Sequence, residues 1–416
     1  MERTLWDLAI IGGGAAGLAA GVMAARKRLR SVILEKQPRV GRKLLATGNG
    51  TCNITNRGAE PRRYHGVRPD FVRPALDKFS PADTCAFFAS IGVECAARED
   101  GRVYPVCAQA SAVLDCLRLE LAACGVEEWC GCAVISIKQG ENGFHLDTTV
   151  GELYARQVLV CAGGAAAPGL GGGNDGYTLL AGFGHDRTPL FPSIVQVKTD
   201  TAWVRSLKGV RVEGAVSFRL DGRECGQEEG EILFTEYGLS GPAVMQISRC
   251  VGDWERQKRG RMEAVLDLLP GYDEEWVRRQ LAVRRELPGR TMENLLTGLL
   301  QKRLGQTVLR AVGCLPLSRP AASLMDKELA GVAACIKGWV IPVTGTQGFG
   351  GAQVTAGGMN TALFDPDTLE STLVPGLYAA GEVLDVDGDC GGFNLQWAWA
   401  SAHAAVAAIA EKGVSR

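Results

Sequence analysis

Three glycines and one acidic residue near the N-terminus have the types and spacing that bind a dinucleotide. Gly12, Gly14 and Gly17 form a G-x-G-x-x-G motif, and Glu35 follows it. The first glycine of such a motif permits a tight turn, the second lets a pyrophosphate approach the backbone, and the third lets a helix pack on a strand. A carboxylate at Glu35 can accept hydrogen bonds from an adenosine ribose and would repel a 2′-phosphate, which disfavours NADP at this site.

The elements around the glycines are those that the motif needs. Residues 8–11 form an apolar run typical of a buried parallel strand, and residues 15–25 are rich in helix formers. A second apolar run, residues 31–34, ends at Glu35. This order predicts a strand–helix–strand unit whose helix N-terminus faces the phosphates.

A second acidic residue, close to the C-terminus, favours FAD over NAD as the dinucleotide. Residues 374–382 read as an apolar strand that ends in Gly381-Glu382, where a carboxylate would reach the ribityl and pyrophosphate region. Gly391-Gly392 then leads into an alanine-rich helix predicted over residues 394–411. The positive end of that helix could face the flavin pyrimidine ring and stabilise negative charge on reduced flavin.

Two segments in the middle of the chain also carry glycines that could lie near a dinucleotide. The strand predicted over residues 157–161 is followed by Ala162-Gly163-Gly164, where backbone could approach a cofactor. Residues 171–176 match G-x-G-x-x-G a second time, but Pro168 and its neighbours separate them from the strand and no strand-terminal acid follows. We therefore interpret this second match as a chance one, so that NAD(P)H would act only as a transient electron donor.

Composition excludes several classes of protein. The 45 basic and 46 acidic residues give a formal charge of −1, which argues against a nucleic-acid partner. No apolar run is long enough to cross a membrane, and no signal-peptide layout is present. The 14 cysteines contain no C-x-x-C pair and the four histidines are scattered, so we expect no metal site. These features predict a cytoplasmic protein with reduced thiols.

The segments quoted above, taken together with several others, resemble the BaiN/YhiN-type flavoproteins, also called the aminoacetone oxidase family, of the two-dinucleotide-binding-domain flavoprotein superfamily. The similarity runs from end to end. The further segments that carry it are residues 41–45, 47–56, 101–105, 233–242, 354–358 and 380–385. This sequence differs from the common family pattern at three positions, with Thr51 in place of arginine, Glu236 in place of histidine and Phe393 in place of tyrosine.

The resemblance implies an α/β fold with a Rossmann-type FAD-binding domain, an inserted β-barrel and a nested helical subdomain. The FAD domain would comprise residues 1–190 and 345–416, and the barrel residues 191–270 with a return strand in 331–344. The helical subdomain would comprise residues 271–330. Alternating apolar and polar residues over 193–220 and near Ile232 agree with a barrel, and apolar residues at helical spacing over 273–310 agree with the subdomain.

The resemblance and the motifs together predict the site residues. The residues that we expect to bind FAD are Gly12, Gly14, Ala15, Ala16, Gly17, Glu35, Lys36, Lys43, Leu44, Thr47, Gly48, Asn53, Ala162, Gly163, Gly164, Gly381, Glu382, Gly392, Phe393, Asn394 and Leu395. The candidates for moving a proton are Tyr237, Glu236 and Cys390, with Tyr104 as a further proton donor.

Three functions stay open at this point. The first is an FAD- and NAD(P)H-dependent oxidoreductase that reduces the C=C bond of an enone, as BaiN-like enzymes are proposed to do on bile-acid intermediates. The second is a flavin oxidase of a small amine such as aminoacetone, and the third is an RNA-modifying flavoprotein that carries a methyl group. The charge of the chain disfavours the third, so we expect a small-molecule substrate, and the sequence does not indicate an oligomeric state.

Overall fold

The computed structural model describes residues 5–414, and the chain divides into two compact units. We call residues 5–191 with 353–414 the split unit, because both ends of the chain build it, and residues 192–352 the inserted unit. The sequence had put these boundaries after residues 190 and 344. Across residues 5–414, none of the helices combines the length and apolarity that crossing a bilayer requires.

The helices and strands follow in chain order. The strands before the insertion are β1 (Leu5–Ile11), β2 (Ser31–Glu35), β3 (Thr55–Asn56), β4 (Tyr64–His65), β5 (Cys95–Ala97), β6 (Arg102–Pro105), β7 (Glu127–Cys130), β8 (Val134–Gly140), β9 (Gly143–Thr148) and β10 (Gly151–Val160). The helices of the same part are α1 (Ala15–Arg26), α2 (Arg42–Ala46), α3 (Arg73–Lys78), α4 (Pro81–Ser90), α5 (Ala110–Ala123) and α6 (Asp175–Ala181).

After strand β11 (Phe191–Ser193), at the boundary, the inserted unit begins. Its strands are β12 (Val197–Thr199), β13 (Arg211–Leu220), β14 (Arg223–Phe234), β15 (Gly238–Ser240), β16 (Met262–Asp267) and β17 (Trp339–Thr346). Its helices are α7 (Thr201–Val204), α8 (Pro242–Ile247), α9 (Arg249–Gln257), α10 (Glu274–Arg285), α11 (Lys302–Val312), α12 (Asp326–Lys337) and α13 (Gly348–Gly351). The split unit resumes with β18 (Val354–Ala356), β19 (Leu377–Ala379), β20 (Asp387–Gly388) and α14 (Phe393–Val414).

The split unit is built on a seven-stranded sheet in which β1 lies between β2 and β10. Strands β7, β2, β1, β10 and β19 run parallel, and β10 also pairs antiparallel with β9 in a β8–β9–β10 meander. The central parallel strands β1 and β2 are largely buried, as expected when helices cover both faces. Their carboxyl ends are where an open α/β sheet binds its ligand.

Helix α14 fixes the C-terminal end of the chain within this unit. It packs against α1, and its residues Trp397 and Trp399 are fully buried. Their indole N–H groups donate to the carbonyls of Gly381 at 3.1 Å and of Ile54 at 2.9 Å. Small alanines elsewhere on the helix allow it to lie close to its neighbours, so the last helix is held beside the first βα turn.

The inserted unit contains a closed barrel with the strand order β12-β15-β14-β13-β16-β17. The predicted α/β class with an inserted barrel and helices is therefore confirmed. Two of the predicted segments have different bounds in the structure. The helical stretch expected over 273–310 is broken after Arg285, because Pro288 cannot continue a helix and Gly289 has a left-handed φ of +72°.

The return strand overlaps the segment predicted for it and ends two residues beyond that segment. It was expected within residues 331–344, whereas residues 326–337 form α12 and the strand is Trp339–Thr346. Asp326 and Glu328 lie in the first turn of that helix, where acidic side chains are stabilised by the helix dipole.

Candidate functional site

A cleft opens at the carboxyl ends of β1, β2 and β10 in the split unit. Its walls combine the first glycine motif, the end of β2, helix α2 and the segment after β10. The residues that line it include Gly12, Gly13, Gly14, Glu35, Lys36, Gln37, Arg39, Arg42, Lys43, Ala162, Gly163, Gly164, Gly171, Gly172 and Asp175. Many of these residues were predicted from the sequence to share one site.

The first glycine turn has the steric requirements of a phosphate-binding turn. A Cβ atom on Gly12, whose φ is +106°, would lie 2.4 Å from the Cys161 carbonyl oxygen, and one on Gly17 would lie 1.9 Å from the Gly12 carbonyl oxygen. A Cβ atom on Gly14 would meet no atom within 4 Å. The turn therefore leaves open space directly above the start of α1, where no side chain caps the helix.

Glu35 lies at the end of β2 and holds the glycine turn in place. Its Oε2 accepts a hydrogen bond from the Gly13 N–H, and its Oε1 accepts one from the Gln37 N–H, each at 2.7 Å. Each carboxylate oxygen keeps a further lone pair. The side chain can therefore support the turn and still accept a hydrogen bond from a bound ribose.

The segment that sequence analysis interpreted as a chance match lies along this same cleft. Gly171, Gly172 and Asp175 are among its walls, and the Asp175 carboxylate pairs with Lys36. Arg42 donates to the Gly169 carbonyl oxygen at 3.0 Å. This glycine segment therefore contributes to the wall of the first site, which its distance in sequence had hidden.

Glu382 joins the C-terminal part of the chain to the N-terminal part. Its Oε2 lies 2.6 Å from Lys43 Nζ, and its Oε1 accepts a hydrogen bond of 2.9 Å from the Thr355 N–H. A Cβ atom on Gly164 would lie 2.7 Å from Glu382 Oε1, so only glycine fits between that carboxylate and the strand end. Gly381, beside it, donates its N–H to Ser401 Oγ at 2.9 Å.

Asn53 and Gly392 meet where α14 begins. A Cβ atom on Gly392, whose φ is +100°, would lie 2.5 Å from the Thr55 carbonyl oxygen and 2.9 Å from Asn53 Oδ1. Asn53 is buried, and within residues 5–414 its Oδ1 has no hydrogen-bond partner. A buried amide oxygen without a partner is costly in a protein alone, so this position suits a ligand that donates a hydrogen bond.

The remaining candidates of the first glycine helix and of the loop after α2 have these positions. Ala15 and Ala16 form the first turn of α1, and Ala162 and Gly163 line the cleft. Leu44 is buried in α2 and its carbonyl accepts from Thr47 Oγ1 at 2.7 Å. Gly48 has a φ of +56° and lies in the same loop.

The first turn of α14 holds the last three candidates. Asn394 Oδ1 accepts from the Gly388 N–H at 2.8 Å and thereby fixes the turn before the helix. Phe393 packs edge-to-face on Tyr64, with the ring centroids 6.3 Å apart, and its carbonyl accepts from the Tyr64 hydroxyl at 3.0 Å. Leu395 is half-buried.

The proton-transfer candidates fall in different units. Cys390 precedes the Gly391-Gly392 turn in the split unit, and burial raises the pKa of its thiol. Tyr104 lies on β6 with the Arg98 guanidinium 4.0 Å from its ring centroid. Glu236 and Tyr237 lie between β14 and β15 of the inserted unit, where Lys208, 2.6 Å from the Glu236 carboxylate, lowers the pKa of that carboxyl group.

A parallel sheet, a phosphate-binding turn at its carboxyl end and a second acidic residue delivered by the C-terminal strand define a Rossmann flavoprotein. The chain belongs to the family described as HI0933-like protein Rossmann domain, whose model matches residues 6–408. It is an FAD-dependent oxidoreductase of that family.

Two relatives match this chain over almost its whole length. The 3-dehydro-bile acid delta(4,6)-reductase of Clostridium scindens is 37% identical over 410 residues, which are 97% of this chain and 99% of the relative. A ribosomal RNA dihydrouridine synthase of Escherichia coli is 32% identical over 411 residues, which are 97% of each chain. These similarities confirm the resemblance found in the sequence.

A solved structure shows the same fold at much lower identity. The 3-ketosteroid delta1-dehydrogenase of Sterolibacterium denitrificans is similar with a TM-score of 0.52 and 13% identity. The similarity covers 98% of this chain and 100% of that one.

Proposed function

We propose that this enzyme reduces a carbon–carbon double bond conjugated to a carbonyl group in a small organic substrate, with NADH or NADPH as electron donor. The observation that carries the proposal is the 37% identity, over 97% of the chain, to a 3-dehydro-bile acid delta(4,6)-reductase. That name describes a steroid-type ketone whose double bonds are reduced. The chemistry that FAD supplies when it is bound is hydride transfer.

The first glycine turn would hold the pyrophosphate of FAD. The N–H groups of Ala15, Ala16 and Gly17 are at the start of α1, the space above Gly14 is open, and no side chain competes for the helix end. Glu35 would accept hydrogen bonds from the adenosine ribose hydroxyls, through the carboxylate lone pairs that the Gly13 and Gln37 N–H groups leave unused. This part of the cleft fits a dinucleotide.

The other end of the cofactor would lie against the C-terminal part of the chain. The unpartnered Asn53 Oδ1 can accept a hydrogen bond, and Glu382, oriented by Lys43 and the Thr355 N–H, can bind ribityl hydroxyls. The start of α14 supplies a positive dipole end, which favours negative charge on a group beside Gly392. In this proposal, residues from both ends of the chain would contribute to one binding surface.

The candidates differ in their fitness to donate the proton that completes the reduction. Because its pKa is lowered by Lys208, Glu236 is ionised at neutral pH and can accept a proton but not donate one. Cys390 keeps its proton at neutral pH, because burial raises its pKa. We therefore propose Cys390 as the donor, to be tested by comparing the rate of enone reduction in Cys390→Ala with that in the unchanged protein.

Stopped-flow reduction and reoxidation test the proposed function. The purified yellow protein is reduced anaerobically with NADH or NADPH and then mixed with a 4-en-3-one steroid, with aminoacetone under air, or with oxygen alone. The proposal expects rapid reoxidation by the enone and slow reoxidation by oxygen. Rapid reoxidation by oxygen together with turnover of the amine would establish the oxidase alternative instead.

A second candidate, reduction of uridine in ribosomal RNA, is favoured by the relatives of that name at 32% identity in Escherichia coli and 30% in Haemophilus influenzae. Uridine also has a double bond conjugated to a carbonyl, so the chemical step would be of the same kind. The formal charge of −1 argues against an RNA substrate. Dihydrouridine formed in ribosomal RNA by the NAD(P)H-reduced enzyme, with no enone turnover, would decide for this candidate.

A further inference from the structure

Three side chains with metal-binding atoms converge on the β8–β9–β10 meander of the split unit. His145 and Asp147 are two residues apart on β9 and therefore point to the same face. Glu152 on β10 is paired directly opposite Asp147, and Tyr154 is opposite His145. Strand register, which is rigid in an antiparallel meander, thus brings one imidazole and two carboxylates together.

The distances within this group match those between ligands of one small cation. His145 Nε2 lies 3.4 Å from Glu152 Oε2 and 3.6 Å from Asp147 Oδ1. One ligand atom from each of the three residues lies within 4.8 Å of the others. Two ligand atoms at tetrahedral positions around zinc, each about 2.0–2.1 Å from it, are about 3.3 Å apart. Small side-chain rotations would therefore close the set around an ion.

The imidazole atom that faces the carboxylates makes no other bond. Among the described residues, His145 Nε2 has no hydrogen-bond partner although it is shielded from solvent. Its ring stacks on Tyr154, with the centroids 4.7 Å apart, and this contact fixes the ring plane. An oriented, buried nitrogen without a partner is an unusual feature for a polar side chain and suits a ligand.

Neighbouring side chains orient both carboxylates. Ser136 Oγ donates to Asp147 Oδ2 at 2.5 Å, and Lys138 Nζ lies 3.4 Å from the same oxygen, so Oδ1 is left facing His145. The Tyr154 hydroxyl donates to Glu152 Oε2 at 3.0 Å. Such outer contacts are those that normally fix the ligands of a metal site.

We propose that His145, Asp147 and Glu152 bind a divalent transition-metal cation of the zinc type, with water completing the coordination. The sequence had predicted no metal site, because these residues do not follow a known ligand spacing. One nitrogen and two oxygen donors suit zinc and its neighbours in the first transition row rather than a soft thiolate-binding ion. None of the three residues lines the FAD cleft, so the proposal does not depend on the proposed reaction.

Calorimetric titration of the full-length, FAD-loaded protein with Zn²⁺ tests the proposal. The variants are His145→Gln and Glu152→Gln, and the control is Glu141→Gln, which removes an exposed acid from the turn of the same meander. We expect the Zn²⁺ affinity of one class of site to fall by roughly tenfold or more in each of the two variants. The control should bind as the unchanged protein does, and the flavin absorbance of every variant should show that it is folded.

Zinc X-ray absorption distinguishes this site from the thiols, four of which are exposed (Cys107, Cys124, Cys130 and Cys225). We expect a shell of nitrogen and oxygen at about 2.0–2.1 Å, with sulfur at about 2.3 Å absent. A sulfur shell, or equal affinity in the His145→Gln variant and the unchanged protein, would overturn the proposal. Zn²⁺ should also raise the melting temperature of the unchanged protein and not that of His145→Gln.

Discussion

Lys43 Nζ lies 2.6 Å from Glu382 Oε2, although 339 positions separate the two residues in the chain. The pair joins helix α2 to the segment after β19, and the second carboxylate oxygen is held by the Thr355 N–H. The ion pair is partly shielded, with side-chain exposures of 30% and 20%. It therefore sets the orientation of Glu382, the acidic residue that follows the C-terminal strand, next to the cleft residue Lys43.

Replacement of Lys43 by Gln should leave the Glu382 side chain less firmly oriented. Because the pair is partly exposed, we expect a loss of only about 1 kcal/mol in the free energy of unfolding. FAD should dissociate faster than from the unchanged protein. Urea unfolding and the rate of flavin release on dilution measure the two effects.

Lys78→Gln is the matched control for this variant. Lys78 pairs at 2.7 Å with Asp367 and also bridges distant parts of the split unit, but with side-chain exposures of 45% and 60%. The control should change stability less than Lys43→Gln and leave flavin release unaffected. Equal flavin release from both variants would contradict a role of Lys43 at the cleft.

Replacement of Glu35 by Gln should destabilise the glycine turn. The carboxylate accepts from two backbone N–H groups at once, whereas the amide that replaces it has a single acceptor oxygen. One N–H group loses its partner, and we expect a cost of about 1–3 kcal/mol in the free energy of unfolding. Chemical denaturation of the FAD-free protein measures it, with the exposed Glu99→Gln as a variant that should change nothing.

Alanine substitution should affect mainly FAD binding at Gly14 and mainly stability at Gly17. A Cβ atom at Gly14 enters open space, so Gly14→Ala should lower the free energy of unfolding by less than about 1 kcal/mol. The same variant should bind FAD roughly tenfold or more weakly, because the methyl group occupies the position proposed for the pyrophosphate. At Gly17 the methyl group would lie 1.9 Å from the Gly12 carbonyl oxygen, and we expect a stability loss of about 1–3 kcal/mol.

Flavin titration and urea unfolding of both variants separate these effects. If Gly14→Ala binds FAD as tightly as the unchanged protein, the pyrophosphate does not lie above Gly14. If Gly14→Ala loses as much stability as Gly17→Ala, the space above the turn is not open in solution.

The sequence predicted those features whose determinants lie close together in the chain. The turn at Gly12, Gly14 and Gly17, with Glu35 on the next strand, is specified within one strand–helix–strand unit, so glycine spacing and apolar runs are enough. The helix after Gly391-Gly392 was predicted for the same reason and begins at Phe393, one position before its expected start. The inserted barrel was expected mainly from family resemblance.

Features that depend on strand register or on distant packing were missed. Alternation in one segment cannot show that Glu152 faces Asp147, because the pairing of β9 with β10 decides it. Likewise, the partner of Lys43 and the position of Gly171 on the cleft wall are set by the fold. The break after Arg285, by contrast, has a local signal in the sequence, because Pro288 cannot continue a helix.

The thiol of Cys52 provides a test of the loop that carries Thr47, Gly48 and Asn53. Burial raises the pKa of this thiol to about 11, and the Cys52 N–H donates to the Thr47 carbonyl oxygen at 3.0 Å. Because the pKa is raised, the thiol stays protonated as long as the pH is well below 11, and at pH 8 only about one molecule in a thousand carries the reactive thiolate. Iodoacetamide should therefore label exposed Cys107 in the folded protein and leave Cys52 unmodified.

Removal of FAD should change this labelling pattern. Asn53 follows Cys52, and its buried Oδ1 has no hydrogen-bond partner within residues 5–414, so a bound flavin that donates to it would stabilise the loop. Without FAD, the loop should open more often, and Cys52 should be labelled faster at pH 8 while Cys107 reacts at an unchanged rate. Peptide mass mapping after timed alkylation measures both rates. Equal labelling of Cys52 with and without FAD would show that the flavin does not contact this loop.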